Sequence, residues 1–423
     1  RRAAARADAA PAAGSRPADF NPIAYKRELG ASPRYNRRVL NDEEAIDLME
    51  EHGVGYSKSG LVAQMREGDK KHTEGDMEVV LADSYGFCWG VERAVQMAYE
   101  ARRKFPEERL HITNEIIHNP SVNGRLSEMG VNFIEETEEG KDFSGVEAGD
   151  VVILPAFGAS VDEMKLMDER GANIVDTTCP WVSKVWNAVG RHEKKNFTSV
   201  VHGKWQHEET IATASFAGTY LIVKNEDEAQ YVIDYMHNGG DKAEFLEKFK
   251  NAMSEGFDPD TDLEKVGIAN QTTMLKGETQ RLGKMFEKAM MTKFGPENLN
   301  EHFMLLDTIC DATQERQDAM YDLVKEDVDM MIVVGGFNSS NTSHLQEIAE
   351  HANIKSFWVD QAGRIDVENN SLDHRTSWGE LQSTKDWLKP GPLKVGVTSG
   401  ASTPDKVVED VLDAMFQIKA ATA

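Results

Sequence analysis

The chain has 423 residues, of which 72 are Asp or Glu and 47 are Lys or Arg, so its formal net charge is −25. This length fits two or three domains of common size. The negative charge disfavours nucleic acid and anionic membrane surfaces as partners, and no apolar run approaches the roughly 20 residues of a spanning helix. Three cysteines cannot form a closed disulfide set, which favours a reducing or metal-handling environment over secretion.

The N-terminal part of the chain differs from the rest in composition. Residues 1–18 contain four Arg, many Ala and a single acid, which is typical of an organelle transit peptide. The alternative is an Ala/Arg extension without any targeting role. Residues 19–77 are polar and charged, with one predicted helix near residues 41–51. We expect this N-terminal extension to pack on the main body or on a partner.

From Glu78 onward, short apolar segments alternate with helical periodicity. The predicted strands are Val79 to Ala82, Val151 to Pro155, Thr198 to His202, Tyr220 to Val223, Val266 to Ala269, Met330 to Gly335 and Val395 to Thr398. This alternation predicts an α/β fold with mainly parallel sheets, whose ligands bind beyond the carboxyl ends of the strands. The segment 236–265 has no clear strand and is predicted to be a surface insertion without chemistry.

Each cysteine follows an apolar stretch and immediately precedes a helical pattern. The three positions are Cys88 after Val79 to Ala82, Cys179 after Ile174 and Val175, and Cys310 after Met304 to Leu306. The positive end of a helix dipole lowers the pKa of a thiol and favours the thiolate that ligates metal. A single cysteine of this kind is more often a small buried apolar residue. Three matching contexts instead favour one shared iron–sulfur or metal centre.

Polar residues follow several of the predicted strands. After the strand at 198–202, His207 and Glu209 form an acid–base pair, and Ile211 excludes a zinc-protease motif because a second His would be needed there. Further polar groups lie at His118 and Asn119, at 270–273, at 335–341 and at 398–405. Each alone is an ordinary helix start. Together they predict a pocket for a small anion such as a phosphate ester.

Eight ordered motifs carry a resemblance to a known family. They are GFCWGVERA at 86–94, TNEIIHNP, VDTTCPWVSKV, HGKWQHEET, NQTTMLKGET, DTICDATQERQDA, GGFNSSNTSHLQEIA and GVTSGASTPDKVVEDV. Over residues 78–415 the chain resembles the 4-hydroxy-3-methylbut-2-enyl diphosphate reductases, most closely their plastid and cyanobacterial branch. The resemblance implies a trefoil of three pseudo-equivalent α/β lobes with mainly parallel sheets around a central 4Fe–4S cluster. The expected divisions are a strand at 78–89 that joins the third lobe, then lobes at 90–179, 180–306 and 307–415.

The resemblance also implies a role for each site residue. Cys88, Cys179 and Cys310 would ligate the cluster and leave an apical iron open to the allylic hydroxyl of the substrate. The diphosphate would bind the side chains of His118, His207, Thr272, Ser339, Ser340, Asn341 and Ser402. Glu209 would deliver a proton, while two electrons and two protons enter and water leaves. The products would be isopentenyl and dimethylallyl diphosphate, formed in the last step of the methylerythritol phosphate pathway.

At one position the chain departs from the pattern of this family. Phe157 stands where many bacterial members have a histidine, and we expect it to shield the pocket.

The resemblance implies reduced ferredoxin as electron donor and the plastid stroma as location, with a homo-oligomer possible. An aconitase-type hydro-lyase would share a three-cysteine cluster but needs no electrons. A non-enzymatic iron–sulfur redox sensor would not explain the polar clusters or Glu209.

Overall fold

The computed structural model describes residues 20–137, 140–306, 308–377 and 379–422. The predicted transit peptide, residues 1–18, lies outside these ranges. The helices in the described residues are α1 (Pro22–Leu29), α2 (Glu43–Glu51), α3 (Leu61–Glu67), α4 (Trp89–Lys104), α5 (Pro120–Glu128), α6 (Val161–Glu169), α7 (Pro180–Lys194), α8 (Glu208–Ala214), α9 (Glu226–Asn238), α10 (Lys242–Lys248), α11 (Lys276–Phe294), α12 (Leu299–His302), α13 (Asp311–Leu323), α14 (Ser340–His351) and α15 (Asp405–Thr422).

The strands lie between these helices along most of the chain. They are β1 (Tyr35–Asn36), β2 (Lys71–Glu74), β3 (Met77–Leu81), β4 (Leu110–Ile112), β5 (Val131–Phe133), β6 (Glu136–Thr137), β7 (Gly140–Lys141), β8 (Val151–Leu154), β9 (Asn173–Asp176), β10 (Thr198–His202), β11 (Tyr220–Val223), β12 (Val266–Asn270), β13 (Phe303–Leu305), β14 (Met330–Val334), β15 (Ser356–Val359), β16 (Ile365–Asp366), β17 (Ser371–His374), β18 (Gln382–Lys385) and β19 (Leu393–Ser399).

The chain divides into two compact units. The first contains the described residues of Arg1–Arg38, Phe105–Asn114 and Val131–Cys310. The second contains Val39–Lys104, Glu115–Gly130 and the described residues of Asp311–Ala423. The chain therefore passes between the units several times, and each unit is assembled from segments that are distant in sequence.

The first unit contains two sheets in which every strand pair is parallel. Their strand orders are β1-β9-β8-β4-β5 and β11-β10-β12-β13. The strands β8 and β12 are buried along their whole length, as expected when helices cover both faces of a parallel sheet. The strands β6 and β7 form a separate antiparallel pair. Parallel pairing places the loops after β8 and β9 at one edge, and those after β10 and β12 at one edge of the other sheet.

The second unit contains one larger sheet of order β15-β14-β19-β3-β2, parallel except for the edge strand β2. A small antiparallel sheet, β16-β17-β18, lies in the same unit. The predicted α/β fold with mainly parallel sheets is confirmed. The trefoil layout and the division into three lobes stay predictions.

The N-terminal extension contains more structure than its composition indicated. The predicted helix near residues 41–51 is present as α2, with Asp42 as its N-cap. The extension also forms α1 and α3, and it adds β1 to β9 and β2 to β3. These strands had no sequence signal because β1 has two residues and β2 (KHTE) is polar. We thus find the extension within the sheets of both units.

The segment 236–265 was predicted to be a surface insertion, and this prediction is wrong for its aromatic residues, which are buried. Phe245, Phe249 and Phe257 are buried in the core of the first unit. Phe245 lies 4.9 Å from Tyr235 between ring centroids, on the neighbouring helix α9. The many charged residues between these aromatics hid the apolar face of α10. No helix in the described residues is long and apolar enough to cross a membrane.

Candidate functional site

The structure places all three cysteines immediately before helices. Cys179 is the N-cap residue of α7, in the turn that follows β9. Cys310 follows β13 and directly precedes the first residue of α13, and Cys88 directly precedes α4. Each is half-buried, and none forms a disulfide bond. The predicted position at a helix start is therefore found for all three.

The donor chemistry of these cysteines is that of an iron–sulfur ligand set. Among the described residues, no three His, Cys, Asp or Glu side chains lie close enough together to hold a metal ion. The thiolates of a four-iron cluster each bind a different iron. They do not have to converge on one point, as the ligands of a single ion do. Three cysteines at helix starts supply the type of donor that an iron–sulfur cluster takes from a protein.

The loop that carries Cys179 is fixed from both sides in the first unit. The Cys179 N–H donates to the carbonyl of Ala156 at 2.8 Å, and the Thr177 hydroxyl donates to the carbonyl of Leu154 at 2.6 Å. Both acceptors lie at the end of β8 or in the turn that follows it. Backbone pairing between the two strand ends therefore sets the direction in which Cys179 leaves the sheet.

Asp176, three residues before Cys179, is the centre of a buried network. Its carboxylate lies 3.0 Å from Lys26 Nζ and 3.6 Å from Arg37 Nε, and it accepts hydrogen bonds from the Tyr35 hydroxyl and the Thr178 N–H. Burial alone would raise the pKa of Asp176, but the charges of Lys26 and Arg37 with these hydrogen bonds hold it well below its usual range. The N-terminal extension thus supplies the counter-charges for this loop.

Glu209 is a buried carboxyl group at the start of α8. Its side chain accepts from the Thr272 N–H at 2.5 Å and from the Thr272 hydroxyl at 2.9 Å. Only 2% of the residue is exposed. Burial raises the pKa of Glu209 to about 7, although both hydrogen bonds from Thr272 act in the opposite direction. A carboxyl with this pKa can hold and release a proton near neutral pH.

His207 is the N-cap residue of α8 and orients the start of that helix. Its Nδ1 accepts from the Glu209 N–H at 3.1 Å, which fixes the ring tautomer with the proton on Nε2. The ring of Phe157 meets the His207 ring edge-on, with 6.4 Å between centroids. Phe157 is itself buried. The loop after β8 thus places an apolar ring against the ring of His207.

In the second unit, His118 lies beside two loops of the larger sheet. Its Nδ1 is 2.9 Å from a carboxylate oxygen of Glu115, and its carbonyl accepts from the Ser402 hydroxyl at 3.3 Å. A Cβ on Gly336 would lie 2.1 Å from the His118 carbonyl oxygen. Only glycine at 336 therefore allows the loop after β14 to approach His118 so closely. This role for Gly336 was not predicted.

The start of α14 carries two buried polar atoms without a partner. Ser339 is the N-cap residue and accepts from the Thr342 N–H at 3.3 Å. Neither the Ser340 hydroxyl nor the Asn341 side-chain nitrogen has a hydrogen-bond partner among the described residues, although the two residues are only 3% and 2% exposed. Buried polar groups are almost always paired. A ligand that accepts hydrogen bonds at this helix start would satisfy both atoms.

The loop after β19 lies beside this helix start. The Ala401 N–H donates to the Asn341 side-chain oxygen at 2.9 Å, so the amide of Asn341 presents its nitrogen elsewhere. The hydroxyls of Thr398 and Ser399, at the end of β19, are also buried without a partner in the described chain. Both belong to the predicted polar group at 398–405, but only Ser402 of that group was assigned a contact with the ligand. Their signal in the sequence was a polar pair at the end of an otherwise apolar strand.

The predicted site residues fall into two sets. Glu209, Thr272 and His207 lie together in the first unit, with Cys179 and Cys310 in the same unit. His118, Ser402 and the Ser339 to Asn341 segment lie together in the second unit, which also contains Cys88. All of them follow a strand or begin a helix, as the α/β pattern predicted. Asp176 was missed because a single charged residue gives no signal of burial.

Polar groups gathered at the carboxyl ends of parallel strands define an α/β protein of the kind that binds its ligand at that edge. The family model described as LytB protein matches residues 79–416. The chain therefore belongs to the LytB family.

Two similar proteins carry the same reductase name. A Botryococcus braunii protein named "4-hydroxy-3-methylbut-2-enyl diphosphate reductase, chloroplastic" is 60% identical over 406 residues, which cover 94% of this chain and 81% of that protein. A Picosynechococcus protein named 4-hydroxy-3-methylbut-2-enyl diphosphate reductase is 58% identical over 400 residues, which cover 95% of this chain and 98% of that protein. The structure of the Plasmodium falciparum E-1-hydroxy-2-methyl-but-2-enyl-4-diphosphate reductase has a TM-score of 0.59 at 24% identity, covering 79% of this chain and 86% of that one. This last similarity supports the fold.

Proposed function

We propose that the chain is an oxidoreductase that converts 4-hydroxy-3-methylbut-2-enyl diphosphate to isopentenyl and dimethylallyl diphosphates. The reaction adds two electrons and two protons, breaks the allylic C–O bond and releases water. One proton leaves with the hydroxyl as water, and the other forms the new C–H bond. The observation that carries the proposal is Glu209, a buried acid whose pKa lies near 7 in a family whose relatives bear this reductase name.

Cys88, Cys179 and Cys310 would hold a 4Fe–4S cluster. The cluster would supply the electrons and, at the iron without a cysteine, a Lewis acid for the hydroxyl of the substrate. The chain provides three half-buried thiols at helix starts. The loop of Cys179 and the loop of Cys88 are each held by several backbone hydrogen bonds.

The diphosphate would bind neutral donors in place of Lys or Arg. In the second unit the hydroxyl of Ser340 and the amide nitrogen of Asn341 are buried donors without an acceptor among the described residues. Ser339, Ser402 and His118 lie next to them. In the first unit His207 and Thr272 would contribute. Neutral donors leave the charge of the diphosphate uncompensated, and this favours the protonated form of a nearby carboxyl.

Glu209 would deliver the proton that leaves with the hydroxyl. The two hydrogen bonds from Thr272 hold its carboxyl in one orientation, and burial keeps it protonated up to about pH 7. Thr272 would also position the substrate hydroxyl. Phe157 would keep water away from the His207 side of the site, because its ring covers His207.

The electrons would come from reduced ferredoxin in the plastid stroma. The chloroplastic relative supports this location, and the Arg- and Ala-rich residues 1–18 agree with it. With a net charge of −25, the chain repels an acidic carrier at long range, so docking would need a local basic surface. The substrate is a small molecule, and neither nucleic acid nor a membrane would take part.

The test is anaerobic turnover of 4-hydroxy-3-methylbut-2-enyl diphosphate by reconstituted protein with a reduced artificial donor. Formation of both five-carbon diphosphates supports the proposal. Conversion that proceeds equally well without a reductant would favour a hydro-lyase. A loaded, reducible cluster without any turnover would favour a redox sensor.

Glu209→Gln tests the role of the acid. The amide accepts a hydrogen bond from Thr272 but cannot supply the proton, so turnover should fall by about 100-fold or more while the cluster spectrum stays unchanged. Glu208→Gln is the matched control, because Glu208 is the adjacent carboxyl and pairs with Lys141 at 2.9 Å. Normal turnover in Glu209→Gln would remove Glu209 from the mechanism.

A further inference from the structure

Arg316 is a buried cation that the proposed reaction does not use. It lies on α13, six residues after Cys310, and is only 3% exposed. A buried guanidinium is costly unless its donors are satisfied and its charge has a function or a counter-charge. The partners of Arg316 therefore indicate what this residue is for.

The guanidinium of Arg316 holds the backbone just before Cys88, within the second unit. It donates to the carbonyls of Gly86 at 2.5 Å and Phe87 at 2.8 Å, and to that of Tyr85 at 3.3 Å. A further bond of 2.8 Å goes to the carbonyl of Ala312, on its own helix. Three consecutive carbonyls thus point at one cation, which determines the path of the chain into Cys88.

The opposite side of the same loop is fixed by the strand β19 and the turn after it. The Gly86 N–H donates to the Ser399 carbonyl at 3.2 Å, and the Cys88 N–H donates to the Ala401 carbonyl at 3.1 Å. The Tyr56 hydroxyl donates to the Phe87 carbonyl as well. The buried carboxylate of Asp405, which pairs with Arg66, also lies beside this loop, because a Cβ on Gly86 would be 3.4 Å from its Oδ1. Carbonyl oxygens satisfy the donors of Arg316, but they do not neutralise its charge.

We propose that Arg316 is a positioning residue for Cys88 and a fixed positive charge that makes the cluster easier to reduce. This inference rests on the proposed function, because it assigns a cluster to Cys88. Reduction adds negative charge, and a buried cation nearby stabilises the reduced form. The rigid fork of Arg316 also fixes the loop, which a flexible ammonium group would do less well.

Three variants separate the charge from the positioning. Arg316→Gln removes the charge and the fork. Arg316→Lys keeps the charge but loses the fork. Tyr56→Phe removes one hydrogen bond to Phe87 and leaves the charge unchanged. The control is Arg125→Gln, which removes the same charge from an exposed arginine of the same unit that pairs with Glu128 on α5.

Two measurements on the full chain give the readouts. The first is the labelling rate of each cysteine in the metal-free protein, resolved by peptide mass spectrometry. We expect Cys88 in Arg316→Gln to react about tenfold faster, because lost charged hydrogen bonds raise the opening probability of the loop by that order. Cys179 should react at the wild-type rate, and the smaller increases in Arg316→Lys and Tyr56→Phe should also be confined to Cys88.

The second measurement is the midpoint potential of the reconstituted cluster. We expect Arg316→Gln to have a more negative potential, while Arg316→Lys, Tyr56→Phe and Arg125→Gln stay at the wild-type value. Wild-type Cys88 labelling together with a wild-type potential in Arg316→Gln would overturn the inference. So would equally faster labelling of all three cysteines, which marks general loosening. A wild-type protein that binds the cluster without turnover would refute the proposed function alone, since neither readout uses the substrate.

Discussion

The loops that carry Cys179 and Cys88 are held by networks whose central groups carry opposite charges. The Cys179 loop surrounds a buried anion, Asp176, which two cations and the Tyr35 hydroxyl approach. The Cys88 loop surrounds a buried cation, Arg316, to which three carbonyls of the loop accept. The first network is an ion-pair cluster in which one carboxylate lies between two cations. The second satisfies the hydrogen bonds of Arg316 but keeps its positive charge.

The N-terminal extension takes part in both regions, with different degrees of burial. In the first unit Lys26 is largely buried, lies against Asp176 and has its ammonium 4.3 Å from the ring centre of Trp186. In the second unit Arg66 is partly exposed and pairs with the buried Asp405. Removing the carboxylate partner of a cation costs less free energy of unfolding when that cation can return to water. The two regions should therefore differ in their sensitivity to the loss of one carboxylate.

The largest effect should follow the loss of Asp176. Asp176→Asn leaves Lys26 and Arg37 without their counter-charge, and we expect a fall in the free energy of unfolding of about 3–5 kcal/mol. Chemical denaturation of the full chain measures it. Asp168→Asn is the control, because Asp168 pairs with Arg34 at the surface and should cost less than about 1 kcal/mol. Equal costs for the two variants would show that the buried network does not hold the Cys179 loop.

Glu209 should make stability depend on pH. Below its ordinary pKa of 4.5 the carboxyl is protonated in both states, whereas between pH 4.5 and about 7 only the unfolded chain ionises. Stability should therefore fall by about 3 kcal/mol as the pH rises through this window, and then level off. Denaturation of wild type and Glu209→Gln from pH 4 to 8 measures the difference. A constant difference across this range would mean that the pKa of Glu209 is the same in the folded and the unfolded chain, so that burial does not raise it.

The loss of Asp405 should lower the free energy of unfolding less than the loss of Asp176. It therefore tests the comparison between the two regions directly. Its carboxylate accepts from the Ser57 N–H at 2.9 Å and pairs with Arg66. We expect Asp405→Asn to cost about 1–3 kcal/mol, because Arg66 can return to solvent. The same denaturation experiment applies. A cost that matched or exceeded that of Asp176→Asn would refute the proposed difference between the two regions.

The smallest effect on stability should come from Ser340. Its hydroxyl is buried without a partner in the described structure, so Ser340→Ala should leave the melting temperature unchanged or raise it slightly. The same variant should raise KM for the diphosphate by about tenfold, because a donor to the ligand is lost. Ser343→Ala is the control, since the Ser343 hydroxyl donates to the Ser377 carbonyl at 3.2 Å. A clear loss of stability with unchanged KM would make Ser340 structural.

The sequence was sufficient to predict the elements that have a strong local signal. Apolar segments such as Val151 to Leu154 became buried parallel strands, and the cysteines were correctly expected at helix starts. The polar strand β2 and the two-residue strand β1 could not be found, because their order comes from pairing with β3 and β9. Periodicity reports the face of an element and not the partners of its charges. For that reason Asp176 and Arg316 were invisible until their contacts were known.

The same limit applied to the candidate site. Glu209 and the Ser339 to Asn341 segment could be named from motifs, but the pKa of Glu209 depends on burial and on Thr272, 63 residues away in the chain. Within the part of the chain that the structure describes, the Ser340 hydroxyl and the Asn341 side-chain nitrogen have no hydrogen-bond partner, and this too is a property of packing. Residue identity predicted which groups could act, and the fold determined their protonation and availability.

The most direct test of the central claim is the iron and acid-labile sulfide content of the reconstituted chain, measured for wild type and for Cys88→Ser, Cys179→Ser and Cys310→Ser. If the two differently anchored loops serve one cluster with Cys310, the wild type should hold one 4Fe–4S cluster per chain, and each substitution should remove most of it. Retention of a full, spectroscopically unchanged cluster in Cys88→Ser or Cys179→Ser would contradict the claim that both loops ligate the same centre.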